Sequence, residues 1–203
     1  MSRSRSRILF ASSHCLSDFS SGAAIATLDA LRLLARGEFH CRAFCASKVD
    51  AGNWREQVSG EQWSVSGGRE ERKQRFAISS ERSVELTHCT VREVPIQLFE
   101  TQSSRIDHWL PREPEAMLAA FERIVEDFSP DVLLTYGGDP VTQAIVRRGN
   151  RESGIWSRGR RRIPVVFWLH NFAYDEARLF EDVDFVIVPS EFSRRWYRER
   201  LGL

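Results

Sequence analysis

Two apolar runs near the C-terminal end constrain the fold more than any other feature. Pro164-Val165-Val166-Phe167-Trp168-Leu169 stops at His170-Asn171, and Val183-Asp184-Phe185-Val186-Ile187-Val188-Pro189 stops at Ser190-Glu191. A helical stretch, Phe192–Leu201, follows the second run. Both runs have strand length and are apolar on consecutive residues. That is the pattern of a strand covered on both faces, as in a parallel sheet. In open parallel sheets, ligands sit beyond the carboxyl ends of the strands. His170, Asn171 and Glu191 are therefore expected on that rim.

The rest of the chain alternates strand and helix. Ile8–Ala11 reads as a buried strand that breaks into the small, polar loop Ser12–Gly22. A helix over Ala23–Ala35 follows, with Ile25, Leu28, Leu31 and Leu34 on one side, Ser21 as N-cap and Gly37 as stop. Cys41–Cys45 reads as a second strand, so the chain opens as a βαβ unit. Val49–Thr101 is less regular and reads as extended, hairpin-like pieces with exposed loops. Pro114 is expected at the first position of the next helix, where its missing N–H costs nothing. There Met117, Leu118, Phe121, Ile124, Val125 and Phe128 form one helical stripe, and Pro130 ends it. Val132–Tyr136 is a further buried strand. It leads through Gly137-Gly138 to a helix capped by Asp139, with Pro140 in its first turn and running through Val146. Arg147–Arg162 is a polar, basic connection, and Tyr174–Phe180 a short helix. The expected fold is α/β: a doubly wound, mainly parallel sheet with helices on both faces and an irregular hairpin-like insertion. It is expected to be one domain over residues 1–203.

Composition enters by exclusion. The net charge is +1, which gives no global attraction to nucleic acid or anionic membrane. No run approaches the ~20 apolar residues of a membrane span. The basic start, Ser2–Arg7, precedes too short an apolar stretch for a secretory signal and leaves peripheral membrane contact as a minor reading. Cys15, Cys41, Cys45 and Cys89 form no CxxC pair, so zinc is not expected and free thiols in a cytoplasmic protein are.

Four turns are expected to gather at the carboxyl edge: His14–Gly22, Gly137–Asp139, His170-Asn171 and Ser190-Glu191. Ser20, Ser21 and Gly22 let backbone N–H groups come close to a ligand at a helix N-terminus, which suits a phosphate. The GxGxxG spacing of dinucleotide folds is absent. Each residue also has a plain reading. Ser21 caps its helix, His170 is a hydrogen-bonded core histidine, Asp139 is a cap and Glu191 is a first-turn acid favoured by the helix dipole. Arg158–Arg162 is a solvated loop or a phosphate-binding run. Cys–His chemistry using Cys15 with His14 or His170 has edge placement alone behind it.

These features resemble the N-terminal, Rossmann-like domain of family 4 glycosyltransferases, which have the GT-B architecture. The likeness lies in the strand and loop Ile8–Gly22, in Pro130–Leu134, in Val165–His170 and in Asp184–Phe192. It implies sugar transfer from a nucleotide-sugar to an acceptor hydroxyl, with retention of anomeric configuration and no metal or other cofactor. By that resemblance Ser21 and Gly22 face the donor diphosphate and sugar. His170 hydrogen-bonds the donor sugar near the reacting carbon, and Asp139, Asn171 and Glu191 lie on the acceptor side. Ser21-Gly22 stands where the family commonly has a glycine pair. The family's second domain, which holds the nucleotide, is not found in these residues, so the chain is expected to be inactive without it or a separate partner chain. The competing reading is a stand-alone binding module for a phosphorylated sugar, a lipid headgroup or a partner protein. A third, RNA binding through Arg158–Arg162, predicts steep salt dependence.

Overall fold

Apolar residues that run without alternation must be covered on both sides, and the centre of this fold is built from such runs. In β1 (Ser6–Ser12) the side chains from Ile8 to Ala11 are all buried. The structure, a computed structural model, describes residues 5–47, 72–77, 83–150 and 162–203. After β1 come α1 (Gly22–Arg36), β2 (Phe39–Ala46), β3 (Arg72–Ala77), β4 (Ser83–Val91) and β5 (Val94–Phe99). Then follow α2 (Arg112–Phe128), β6 (Val132–Thr135), α3 (Pro140–Asn150), β7 (Val165–Trp168), β8 (Phe185–Ile187) and α4 (Glu191–Leu201). Single 3-10 turns at Ile106–His108 and Ala177–Phe180 complete the described elements.

The strands form one sheet in the order β3-β4-β5-β2-β1-β6-β7-β8. β5, β2, β1, β6, β7 and β8 run parallel, while β3 and β4 join as an antiparallel meander. The expected α/β doubly wound fold is the observed one, and its irregular insertion contributes the meander. Gly67-Gly68, the charges Arg69–Glu71 and most of the Arg158–Arg162 run lie outside the described residues. Arg162 is described, and its guanidinium pairs with Asp184 at 2.5 Å.

Alternation along β1 divides the core. Leu9 and Ala11 face α2 and α3, where they meet Met117, Phe121, Ile124 and Ile145. Ile8 and Phe10 face α1 and meet Leu28 and Leu31. The whole α2 stripe is buried, as its periodicity requires. Burying those six side chains is worth roughly 10 kcal/mol gross, an upper bound before entropy. α2 begins at Arg112, so Pro114 stands third in the helix rather than first. The first four N–H groups of a helix lack intrahelical partners, so proline fits there equally well. Ser129 ends the helix in the left-handed region, φ 49°, just before Pro130.

One expectation fails at β8. Phe185 is 64% and Ile187 42% exposed, so this strand is not covered on both faces. Phe185 and Ile187 register with Val166 and Trp168, on the face where α1 packs. But α1 lies over β2 and β5, at the other side of the sheet centre, and among the described residues nothing covers β8 there. Val186 on the opposite face packs with Phe167, Tyr174 and Tyr197. The four cysteines are free. No helix of the described residues is long and apolar enough to cross a membrane.

Candidate functional site

The chain leaves β1 toward β2 on one side, and later returns as β6 on the other side of β1. This reversal opens a crevice beyond the carboxyl ends of β1 and β6, the place where open α/β sheets hold ligands. A cleft of roughly 510 Å³ lies there, with His14, Ser21, Tyr136, Gly138, His170 and Tyr174 in its walls. Three of the four expected turns meet in it. A larger cleft of roughly 830 Å³ lies between the β4–β5 meander and α2. Two of its four carboxylates are engaged structurally: Glu100 accepts from the Ser47 and Thr87 hydroxyls, and Glu113 from the Gln102 and Leu110 N–H groups.

Ser21 is the N-cap of α1, and its hydroxyl accepts from the Ala24 N–H at 3.4 Å. Gly22 opens the helix, and a Cβ there would meet nothing within 4 Å. Its surroundings are open, so neither packing nor backbone conformation requires a glycine here, and Gly22 itself is not among the residues that line the cleft. Asp18 shapes the loop by accepting the Ser20 N–H at 3.0 Å and the Ser20 hydroxyl at 2.5 Å.

His170 follows β7 and is held on three sides. Its Nε2 lies 3.1 Å from Thr27 Oγ1 on α1. Its ring stacks on Trp168 at 4.8 Å and meets Tyr136 edge-on at 5.3 Å. Half-burial lowers its pKa below the ordinary 6.5, which favours neutral imidazole. Asn171 also lines the cleft. Its side-chain oxygen accepts the Ala173 N–H at 3.1 Å and its backbone carbonyl accepts the Tyr197 hydroxyl at 2.5 Å. The first bond closes an Asx turn and leaves the amide donors of Asn171 as its unused polar end.

Asp139 is almost buried at the start of α3. Oδ1 accepts the N–H groups of Val141 at 3.0 Å and Thr142 at 2.9 Å, the expected cap. Oδ2 accepts the Ser13 hydroxyl at 2.7 Å and lies 3.4 Å from His14 Nε2. Glu191 is exposed in the first turn of α4, pairs with Arg194 at 2.7 Å and stands outside the cleft walls. Cys15 is buried, and contact with Cys45 together with burial pushes its thiol well up, which disfavours a thiolate nucleophile.

Three wall residues, His14, Tyr136 and Tyr174, and the buried Thr27 behind His170 escape a linear reading in part. Thr27 looked like an ordinary helix residue and Tyr136 like the end of a strand, while Tyr174, expected at the start of a short helix, lies before the 3-10 turn Ala177–Phe180. The Tyr136 hydroxyl is buried and has no hydrogen-bond partner among the described residues. His14 was expected at the carboxyl edge, but as a partner for Cys15 rather than for a carboxylate. Its partner, Asp139, lies far along the chain, and only the pairing of β1 with β6 brings them together. Among the described residues, no group of three or more His, Cys, Asp or Glu side chains is placed to hold a metal ion.

No protein-family model matches this chain, and no curated protein sequence does. Among solved structures, the chain is similar to the catalytic domain of starch synthase IV from Arabidopsis thaliana bound to ADP and acarbose. The TM-score is 0.52 and the identity 13%, over 87% of this chain and 36% of that one. The chain thus spans little more than a third of that structure's length. At this identity the likeness establishes the fold alone: a Rossmann-like domain of the kind found in GT-B glycosyltransferases.

Proposed function

We propose that this chain is the acceptor-side half of a glycosyltransferase of the family 4 type, moving a sugar from a nucleotide-sugar to an acceptor hydroxyl with retention and without a metal ion. The observation that carries the reading is the meeting of the α1 N-terminus and His170 in one cleft at the switch point of a GT-B-like domain. Ser21 and Gly22 offer N–H groups and the positive end of a helix to the diphosphate. Neutral His170 faces the sugar, and Asn171 and the Asp139 corner belong to the acceptor side. Glu191 is left as a rim residue that meets a ligand only if the ligand extends beyond this cleft.

Affinity follows from the same inventory. A helix N-terminus contributes about 0.3–1 kcal/mol per favourable charge contact, while micromolar binding needs roughly 8 kcal/mol. Arg178, a cation in the cleft wall, is paired with Glu176. The chain alone is therefore expected to hold a nucleotide-sugar weakly and to turn over little. Phe172 and Phe192, 45% and 62% exposed beside the cleft edge, favour a second body closing here over a stand-alone module.

Saturation-transfer NMR with UDP-glucose, GDP-mannose and ADP-glucose at millimolar concentration tests the reading. At least one is expected to give a signal that disappears in His170→Ala and in Gly22→Val. Silence from all three sinks the donor-site assignment. Rapid sugar transfer by the 203-residue chain, lost in His170→Ala, would keep the reaction but overturn the need for a second half.

A further inference from the structure

Thr27 stands inside α1 with its side chain sealed from solvent. A threonine in a helix often turns its hydroxyl back on a carbonyl of the preceding turn. Here the one hydrogen-bond partner of the hydroxyl among the described residues is His170 Nε2, at 3.1 Å. The other ring nitrogen of His170, Nδ1, has no partner among the described residues. It is not one of the side-chain atoms buried without a partner either, so it is open to the cleft that His170 lines.

One hydrogen lies between Oγ1 and Nε2, and it has two possible owners. If the ring gives it from Nε2, the Thr27 hydroxyl hydrogen is left without an acceptor in the protein interior. If the hydroxyl gives it to a bare Nε2, the buried donor is satisfied. The ring hydrogen is then on Nδ1, where water or a ligand in the cleft accepts it. A buried donor left unpaired costs more than a spare lone pair, which selects the second arrangement. Burial lowers the pKa of His170, so the ring is neutral and keeps one donor and one acceptor. Trp168, stacked at 4.8 Å, and Tyr136, nearly perpendicular at 5.3 Å, hold its plane.

We propose that Thr27 is the positioning residue of His170: its buried hydroxyl takes up the lone pair of the ring and leaves the histidine a hydrogen-bond donor toward the cleft. The ligand atom that meets Nδ1–H is therefore one with a free lone pair, such as a sugar or phosphate oxygen, and not an ammonium, which only donates. In this state His170 has no lone pair on its cleft side, so it orients a ligand there and does not act as a base. That the oxygen belongs to a nucleotide-sugar rests on the sugar-transfer reading; the hydrogen bond from Thr27 does not. α1 thus serves the cleft twice. Its N-cap residue, Ser21, lines the wall, and Thr27, farther along the same helix, orders the imidazole.

Long-range proton–nitrogen NMR of the histidine-labelled chain, above the pH range where histidine protonates, reads both nitrogens of His170 without any ligand. Hydrogen on Nδ1 is expected, with Nε2 at the shift of a nitrogen that accepts a hydrogen bond. In Thr27→Val, which removes the donor, the Nε2 resonance should move toward that of an unbonded ring nitrogen, and Thr27→Ser should restore it. Hydrogen on Nε2 in the unaltered chain, or an Nε2 resonance that Thr27→Val leaves unmoved, overturns the proposal. Diethyl pyrocarbonate attacks the bare ring nitrogen, so its products, mapped by mass spectrometry, give a readout that needs no variant. His170 should react several-fold more slowly than His14, whose side chain is 52% exposed; equal rates overturn the proposal. For any nucleotide-sugar that binds in saturation-transfer NMR, Thr27→Val should weaken binding several-fold and Thr27→Ser should not. An affinity unchanged in Thr27→Val also overturns the proposal. The expected nitrogen shifts without binding of any nucleotide-sugar would support the Thr27–His170 arrangement and count against the sugar-transfer reading instead.

Discussion

Asp139 holds a charge where burial opposes one. Burial alone pushes its carboxyl up, but His14, the Thr142 N–H and the Ser13 hydroxyl outweigh it and hold the pKa at about 2, below the ordinary 3.8. A depressed carboxyl stabilises the fold above its unfolded pKa, and that contribution is lost as pH falls through about 2. Asp139→Ala is expected to cost about 2 kcal/mol at neutral pH, from the lost cap and the lost charge partners. A lower urea midpoint with unchanged slope is the expected readout, and an unaltered midpoint contradicts it. The same loss should shrink toward pH 2. His170 has the same sign for a different reason: burial disfavours its charged form, so its contribution is present above pH 6.5 and falls away below. At this scale the sequence was half legible. Ser21 and Asp139 could be read as caps because the cap lies next to its helix. The contact of Asp139 with His14 could not, because no local pattern records which loop lies across a sheet edge.

α2 and β8 show how differently elements declare themselves. The α2 stripe repeats at helical period, and every residue of it is buried. Phe121, fully buried against β1, should cost about 3–5 kcal/mol when replaced by alanine, measured by chemical denaturation. β8 has the same apolar density as β7, yet Phe185 points away from the packed core. Phe185→Ser should therefore change stability by no more than about 0.5 kcal/mol. A loss of several kcal/mol would mean that this face is covered in solution. Periodicity tells which side of a helix is apolar, but a run apolar on both sides does not say whether anything lies against each side. The meander adds a local device: Arg92 and Glu93, at φ 48° and 70°, make the turn between β4 and β5, and Glu93 is tied back to Arg36 on α1 at 2.7 Å.

The whole sheet places its most protected backbone at β1, which is flanked by β2 and β6 and buried on both faces. Amide exchange should be slowest in β1 and fastest in β3 and β8, the two ends of the described sheet. Equal protection across the sheet would show that its ends are covered in solution. The order of strands also decides where the cleft lies, because the reversal at β1 and β6 leaves a gap that no continuous winding would leave. By itself, the amino-acid sequence determined the elements: their type, their caps, the alternation of strand with helix and hence the α/β class. Those follow from interactions within a few residues, with helical period and backbone capping as their code. Tertiary structure alone decided that His14 faces Asp139, that His170 rests on Thr27, that Glu191 stands apart and that β8 is bare on one side. Each of these depends on strand order and helix placement, which the whole core selects by burying its apolar surface together.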